Sequence, residues 1–207
     1  MTNQRRLVVA SRNKHKVAEI RDMLQGLPFE VVSVSDLGDF PEVVEDGDTF
    51  ADNARKKAVQ VMRWTHELVV ADDSGLEVDA LDGAPGVHSA RFAALDGGHA
   101  SDAANNAKLL ELLADVPPER RGAQFRCVIA LAAPDGTVDF AEGICRGQIG
   151  FAPQGEHGFG YDPLFIVPEF GQTFAELPPE VKNRISHRAK AVEGLKALLR
   201  RYEKPAN

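Results

Sequence analysis

The feature that most constrains this chain lies at residues 6–34. There an apolar run rich in β-branched residues, RLVVAS, passes directly into KHKVAEIRDMLQGL and then into FEVVSV. In the middle segment Val17, Ile20, Leu24 and Leu27 recur at spacings of three and four, one stripe along a helix of about 3.6 residues per turn. Gly26 and Pro28 close the stripe, and the short runs on either side read as buried strands. Strand, tight turn, helix and strand in that order predict a βαβ start.

The same alternation continues. Thr49 can cap a helix whose inward face holds Phe50, Ala54, Ala58 and Val61. ELVVAD (67–72) reads as another buried strand, and a stretch crowded with carboxylates, ADDSGLEVDALDGAPG (71–86), hangs from its C-terminal end. SDAANNAKLLELLADV (101–116) is a helix begun by Ser101 or Asp102 and stopped before Pro117 and Pro118. QFRCVIALAAPDGTVDFAEGIC differs in kind: Phe125, Cys127, Ile129 and Leu131 alternate, PDGT turns the chain, and Val138, Phe140 and Ile144 follow. That is a hairpin with a D-G turn. SHRAKAVEGLKALLRRY closes the chain as an amphipathic helix with Val192, Leu195, Leu198 and Leu199 inward. The expected class is α/β with a mixed sheet.

A chain of 207 residues is long enough for one large domain or two lobes sharing a core. Its formal net charge of -7 excludes a general basic footprint for nucleic acid, because backbone binding runs on Lys and Arg neutralising phosphates. A small phosphate ligand needs only a few local cations and stays open. Cys127 and Cys145 have no second Cys or His at ligand spacing and read as packed free thiols. No basic-then-apolar leader and no membrane-length apolar run is visible, so the expectation is a soluble cytoplasmic protein.

Four stretches carry candidate chemistry. SRNKHK, Ser11 to Lys16, lies between a strand end and a helix start. Exposed N–H groups there attract anions, and Ser11, Asn13, Lys14 and Lys16 add donors and charge; an ordinary helix start with solvated lysines is the other reading. Asp72 and Asp73 stand where a ligand crevice opens in α/β sheets, and Glu45 can add a carboxylate from a separate segment. Hard oxygens from distant segments suit Mg²⁺, whereas a capped turn with solvated carboxylates is the alternative. In GFGYDPLF (158–165), Phe159 between glycines can lie against a flat base and Asp162 can accept from base N–H groups; a glycine-rich turn with core aromatics is the other reading, and the one that the residues alone favour. In EVKNRISHRAKA, Lys182, Ser186, His187 and Arg188 gather donors before the last helix, which a helix cap with a solvated surface would also explain.

Taken in order, SRNKHK, EDGDTFADNA, ADDSGLEVDALDGAPGVHSAR, GFGYDP and ISHR resemble the inosine triphosphate pyrophosphatase family, whose members are also called dITP/XTP pyrophosphatases. The resemblance spans nearly the whole chain. It implies one domain over 1–207, an elongated two-lobed α/β structure around a long central mixed sheet flanked by helices, with substrate in a cleft between lobes and a homodimeric assembly. The implied activity is hydrolysis of ITP, dITP and XTP to monophosphate and pyrophosphate, with Mg²⁺ as cofactor and no nucleic-acid or membrane partner. Position by position, Ser11, Arg12, Asn13, Lys14, His15 and Lys16 would bind the triphosphate, with Lys16 the main cation. Glu45 and Asp73 would hold Mg²⁺, Asp73 would take the proton of the attacking water, and Ser74 would touch substrate. Phe159, Gly160, Tyr161 and Asp162 would form the base pocket, closed by Lys182, His187 and Arg188. Donors such as the Arg188 guanidinium would favour a 6-keto over a 6-amino purine. A related pyrophosphatase for modified pyrimidine or methylated nucleotides, and a nucleotide-binding module without turnover, are the rival readings.

Overall fold

The computed structural model describes residues 4–94, 98 and 100–203. Seven strands, β1 (Arg5–Val9), β2 (Phe29–Ser33), β3 (Leu68–Val78), β4 (Gly122–Ala132), β5 (Val138–Ile149), β6 (Phe165–Val167) and β7 (Gln172–Thr173), form one sheet of order β2-β1-β3-β4-β5-β6-β7. Among the described residues five α-helices accompany it: α1 (Lys14–Met23), α2 (Phe50–Thr65), α3 (Asp102–Leu112), α4 (Pro179–Ile185) and α5 (His187–Leu199). β1 runs parallel to β2, from Arg5 opposite Phe29 to Val9 opposite Ser33, and parallel to β3, from Leu7 opposite Leu68. β6 is antiparallel to both β5 and β7. The sheet is therefore mixed and the βαβ start is present, as the alternation of periods required. Among the described residues no helix is long and apolar enough to cross a membrane.

The chain divides into two compact units, one of Met1–Asp73, Cys127–Gly143 and Arg188–Asn207, the other of Ser74–Arg126 and Ile144–His187. The first has a core of Leu7, Val9, Ile20, Leu24, Leu68, Val70, Ile129, Leu195 and neighbours. In the second, Leu76, Val78, Leu109, Leu164 and Tyr161 surround an aromatic group in which Phe125 lies 4.6 Å from Phe165, centroid to centroid.

The helices begin where their side chains satisfy exposed N–H groups. Asn13 Oδ1 accepts from His15 and Lys16, Thr49 Oγ1 from Asp52, and Ser101 Oγ from Ala104. The third helix thus starts from Ser101, with Asp102 as its first residue.

One expectation changes. β3 does not stop at Asp72 but continues to Val78. Asp72 and Asp73 therefore lie inside a strand, where Leu76 and Val78 beyond them are fully buried. A strand can carry two charges at its centre only when partners neutralise them, and those partners come from elsewhere in the chain. In β5 the inward face is Ala141, Cys145 and Ile149, whereas Phe140 and Ile144 are exposed. Small inward residues are required there: a Cβ on Gly147 would stand 2.5 Å from the Phe165 ring and from the Ile166 carbonyl.

Candidate functional site

Asp72 and Asp73 are successive residues of β3, so their side chains leave opposite faces of the strand. Each meets its own cations. Asp72 is buried, and its Oδ2 lies 3.1 Å from Lys16 Nζ, 3.0 Å from Arg188 Nη2 and 3.2 Å from Arg188 Nε. Arg188 is itself buried and donates its Nη1 to Glu19 of α1. Burial alone would raise the Asp72 carboxyl; the Lys16 and Arg188 charges overcome it and hold the group below the usual aspartate range. Arg188 is held above its ordinary value: its burial acts downward, but Asp72 and Glu19 outweigh it.

Asp73 faces α2. Its Oδ1 lies 3.0 Å from Lys57 Nζ, and its Oδ2 accepts from Asn53 Nδ2 at 3.3 Å. Lys57 also reaches Glu45 Oε1 at 3.1 Å. Asn53 and Lys57 are four residues apart, hence on one face of the helix. Asn53 Oδ1 in turn accepts from Gly47 N–H at 2.8 Å, pinning the segment that carries Glu45. A Cβ on Gly47 would come within 2.8 Å of that same oxygen, so the close approach needs glycine.

The two carboxylates sharing Lys57 titrate in opposite directions. Burial is the largest influence on both. At Glu45 the Lys57 charge overcomes it and the pKa falls. At Asp73 burial, with the Glu45 charge adding to it, outweighs Lys57 and Lys16, and the pKa rises. Lys57 is raised, its burial being outweighed by Asp73 and Glu45. An aspartate held above its ordinary range and still next to ammonium groups is suited to accept a proton.

In the turn before α1, Ser11 Oγ accepts from Asn13 N–H at 3.2 Å, and the Asn13 amide caps the helix. Arg12 donates to the Phe40 carbonyl. Lys14 and His15 are exposed, whereas Lys16 turns to Asp72. Of the six residues read from SRNKHK, the structure thus brings Lys16 to the β3 carboxylates and leaves Lys14 and His15 at the surface.

The second unit holds the other predicted residues, and Ser74 of β3 begins it, half-buried. Asp162 Oδ2 accepts from Phe159 N–H at 2.9 Å and from buried Lys182 Nζ at 2.6 Å. Lys182 lies 4.9 Å from the centroid of the Phe159 ring, a cation–π distance. Tyr161 is buried with its hydroxyl donated to the Ser89 carbonyl at 2.8 Å. His187 is buried and stacked on Phe125 at 4.7 Å. Gly158 has φ +77°, and a Cβ there would stand 2.0 Å from Asp162 Oδ2. Arg188, read from sequence with the base pocket, belongs to the first unit instead, engaged by Asp72 and Glu19.

Residues outside the sequence motifs' assignments also enter. Lys57 and Asn53 lie on the stripe of Phe50, Ala54, Ala58 and Val61, and both are buried. The sequence signal was available: two polar residues interrupt an apolar face at i and i+4. Glu19 had no such signal.

A family model described as the Ham1 family matches residues 7–198. The chain belongs to the Ham1 family. A protein named dITP/XTP pyrophosphatase from Desulforamulus reducens is 57% identical over 95% of this chain and 96% of its own. One of the same name from Geobacter sulfurreducens is 56% identical over 92% of this chain and 94% of its own. The solved structure of a HAM1 protein from Coxiella burnetii covers 95% of this chain and 99% of its own, at 39% identity and a TM-score of 0.85. The Ham1 membership agrees with the resemblance carried by the sequence motifs, and the mixed α/β fold is that of this structural neighbour.

Proposed function

We propose that this protein hydrolyses the noncanonical purine nucleoside triphosphates ITP, dITP and XTP to the monophosphate and pyrophosphate, clearing deaminated purines from the nucleotide pool. The observation that carries this reading is the 57% identity across 95% of the chain to a relative named dITP/XTP pyrophosphatase. The Asp73–Lys57–Glu45 arrangement supports a catalytic role over a non-catalytic binding one, since binding alone needs no buried proton acceptor.

Glu45 and Asp73 suit Mg²⁺. Both offer hard oxygens, they come from separate segments, and one side chain, Lys57, reaches both. Among the described residues no three His, Cys, Asp or Glu side chains gather as a metal cluster. Two carboxylates with water and substrate phosphate are nonetheless an ordinary Mg²⁺ set. When bound, the ion would polarise a phosphoryl oxygen and neutralise its charge.

Asp73 accepts the proton of the attacking water as the water oxygen bonds to phosphorus and the bridge between the α- and β-phosphates breaks. Lys16 and Lys57 stabilise charge on the phosphate oxygens, with Ser11, Asn13 and the N–H groups of the turn beside them. Arg188 and Asp72 hold Lys16 in place. Phe159 stacks on the purine, and the 159–162 backbone, with Lys182 and His187, supplies the polar frame that favours a 6-keto group. The working form is a cytoplasmic homodimer.

Pyrophosphate release from ITP, dITP, XTP, GTP, ATP and dUTP, with Mg²⁺ and with chelator, tests the reading. The expected result is Mg²⁺-dependent release fastest for ITP and XTP. Equal rates on ATP and ITP would overturn the assigned selectivity, and preference for dUTP would transfer the protein to the pyrimidine-directed class.

A further inference from the structure

The loop that carries Phe159 is held by a helix that none of the sequence motifs assigned to substrate. Gly160 has φ +62°, and both of its backbone polar groups are engaged by side chains of α3. Its N–H donates to Asp102 Oδ2 at 2.7 Å, and its carbonyl accepts from Asn106 Nδ2 at 3.0 Å. Asp102 and Asn106 are four residues apart and so share one face of the helix. The helix is itself fixed. Asn105 Oδ1 accepts from Ala93 N–H at 2.8 Å, its Nδ2 donates to the Ala90 carbonyl at 3.3 Å, and Ser101 caps the first turn. With Phe159 N–H held by Asp162 and the Tyr161 hydroxyl held by Ser89, successive residues of the loop are each tied to a different neighbour.

Asn106 stands out energetically. It is 8% exposed, and its Oδ1 has no hydrogen-bond partner among the described residues. Among the described residues its side chain bonds to Gly160. A buried amide left half satisfied is unfavourable, and the core face of α3 is otherwise built from Leu109 and its neighbours. An apolar side chain would pack there without that disadvantage, so packing gives no reason for asparagine. Holding the Gly160 peptide does.

Resting on the assignment of Phe159–Asp162 to the purine, we propose that Asp102 and Asn106 are positioning residues. They clamp the Gly160 peptide and thereby aim the Phe159 ring at the base, setting how tightly the purine binds without entering the chemistry.

The test compares Asp102→Ala, Asp102→Asn, Asn106→Ala and Asn106→Leu with the unsubstituted protein. The readouts are KM and kcat for pyrophosphate release from ITP, inhibition by tripolyphosphate, and the melting temperature. Losing one clamp bond raises KM about three- to tenfold, while kcat stays within about twofold, the pattern of lost binding shared by ground and transition states. Tripolyphosphate has no base, so its inhibition constant stays unchanged. Asp102→Asn keeps an acceptor oxygen for Gly160 N–H and retains nearly the original KM, whereas Asp102→Ala does not. If Asp102 served only as a negative charge at the helix N-terminus, the two variants would behave alike, which overturns the clamp. Unchanged KM in both Asp102→Ala and Asn106→Leu also overturns it, as does a tripolyphosphate constant that rises in step with KM. Failure of the unsubstituted protein to turn over ITP would instead remove the functional reading beneath the proposal.

Discussion

Lys57 holds Asp73 from inside the fold: its ammonium lies 3.0 Å from Asp73 Oδ1, and the same nitrogen stands 3.1 Å from Glu45 Oε1. One helix residue therefore governs the charge of both carboxylates assigned to the metal. Replacing it removes the ammonium that both acidic groups contact.

Lys57→Met is expected to lower unfolding stability by about 2–4 kcal/mol, the range for breaking a buried pair, reduced because Glu45 is partly open to solvent. Urea denaturation measures this, and adding Glu45→Gln should recover part of the loss. Non-recovery would mean that Lys57 contributes through packing of its aliphatic stem alone.

Asp72 and Asp73 should answer to amidation in different ways. The fold holds the Asp73 pKa above its ordinary value, through burial and then through Glu45, so its charged form is disfavoured on folding. Asp73→Asn takes one charge partner from Lys57 but leaves it Glu45, so it should lower the urea midpoint less than Asp72→Asn does, yet reduce turnover of ITP by roughly 10²–10⁴, the usual contribution of a general base. Asp72→Asn strips buried Arg188 and Lys16 of their shared carboxylate and should destabilise by about 3–5 kcal/mol. Equal stability changes in the two variants would contradict the separate roles.

Gly158→Ala and Gly160→Ala make a second contrasting pair. Both glycines have positive φ, but a Cβ at Gly158 meets Asp162 Oδ2 at 2.0 Å, whereas at Gly160 no atom of the described residues lies within 4 Å. Gly160→Ala should cost only the left-handed backbone term, about 1–2 kcal/mol. Gly158→Ala must also displace Asp162 from Lys182, so its KM for ITP should rise well above that of Gly160→Ala. Steady-state kinetics on the two variants decide the point.

Cys127 should be inert in the folded protein. Burial, with the nearby Asp72 charge adding to it, pushes its thiol up to about 12. At pH 8 to 9 an unfolded-chain thiol is substantially ionised, since its ordinary pKa is about 8.5. Alkylation mapped by mass spectrometry should therefore mark Cys127 only after denaturation. The linkage has a definite sign. A raised folded pKa means that the native state binds the proton more tightly, so this contribution is complete below about pH 8.5 and is lost as the pH climbs toward the folded value. The loss is at most about 1.4 kcal/mol per pH unit, and Cys127→Ser should flatten that slope.

Much of the architecture was legible along the chain, because its signals are local. Val17 and Ile20 are buried in α1 and Leu24 at its C-terminal cap, Thr49 caps α2, and Phe50, Ala54, Ala58 and Val61 form the inward face. Gly83 and Gly86 both take positive φ in the turn after the carboxylates. The end of β3 was not legible. A pair of aspartates reads as a strand terminus unless the cations that neutralise them are known, and here they arrive from positions 16, 57 and 188. Nor was the outward face of β5, because Phe140 and Ile144 look more core-like than the Ala141 and Cys145 that are buried. Width available against a neighbouring strand, as at Gly147, decided which parity faces in.

By itself the sequence determined the order of β1 to β5 and of α1, α2, α3 and α5, the parallel start and the family, since each rests on periodicity, capping chemistry or motif order within a short window. The tertiary structure alone decided how charge is apportioned. It gave Asp72 to Lys16 and Arg188, gave Asp73 and Glu45 to Lys57, and placed Asp102 and Asn106 on Gly160. The physical reason is that ionic and hydrogen-bond partnership depends on distance and burial in space, and residues scores of positions apart carry no local mark of the partner they will meet.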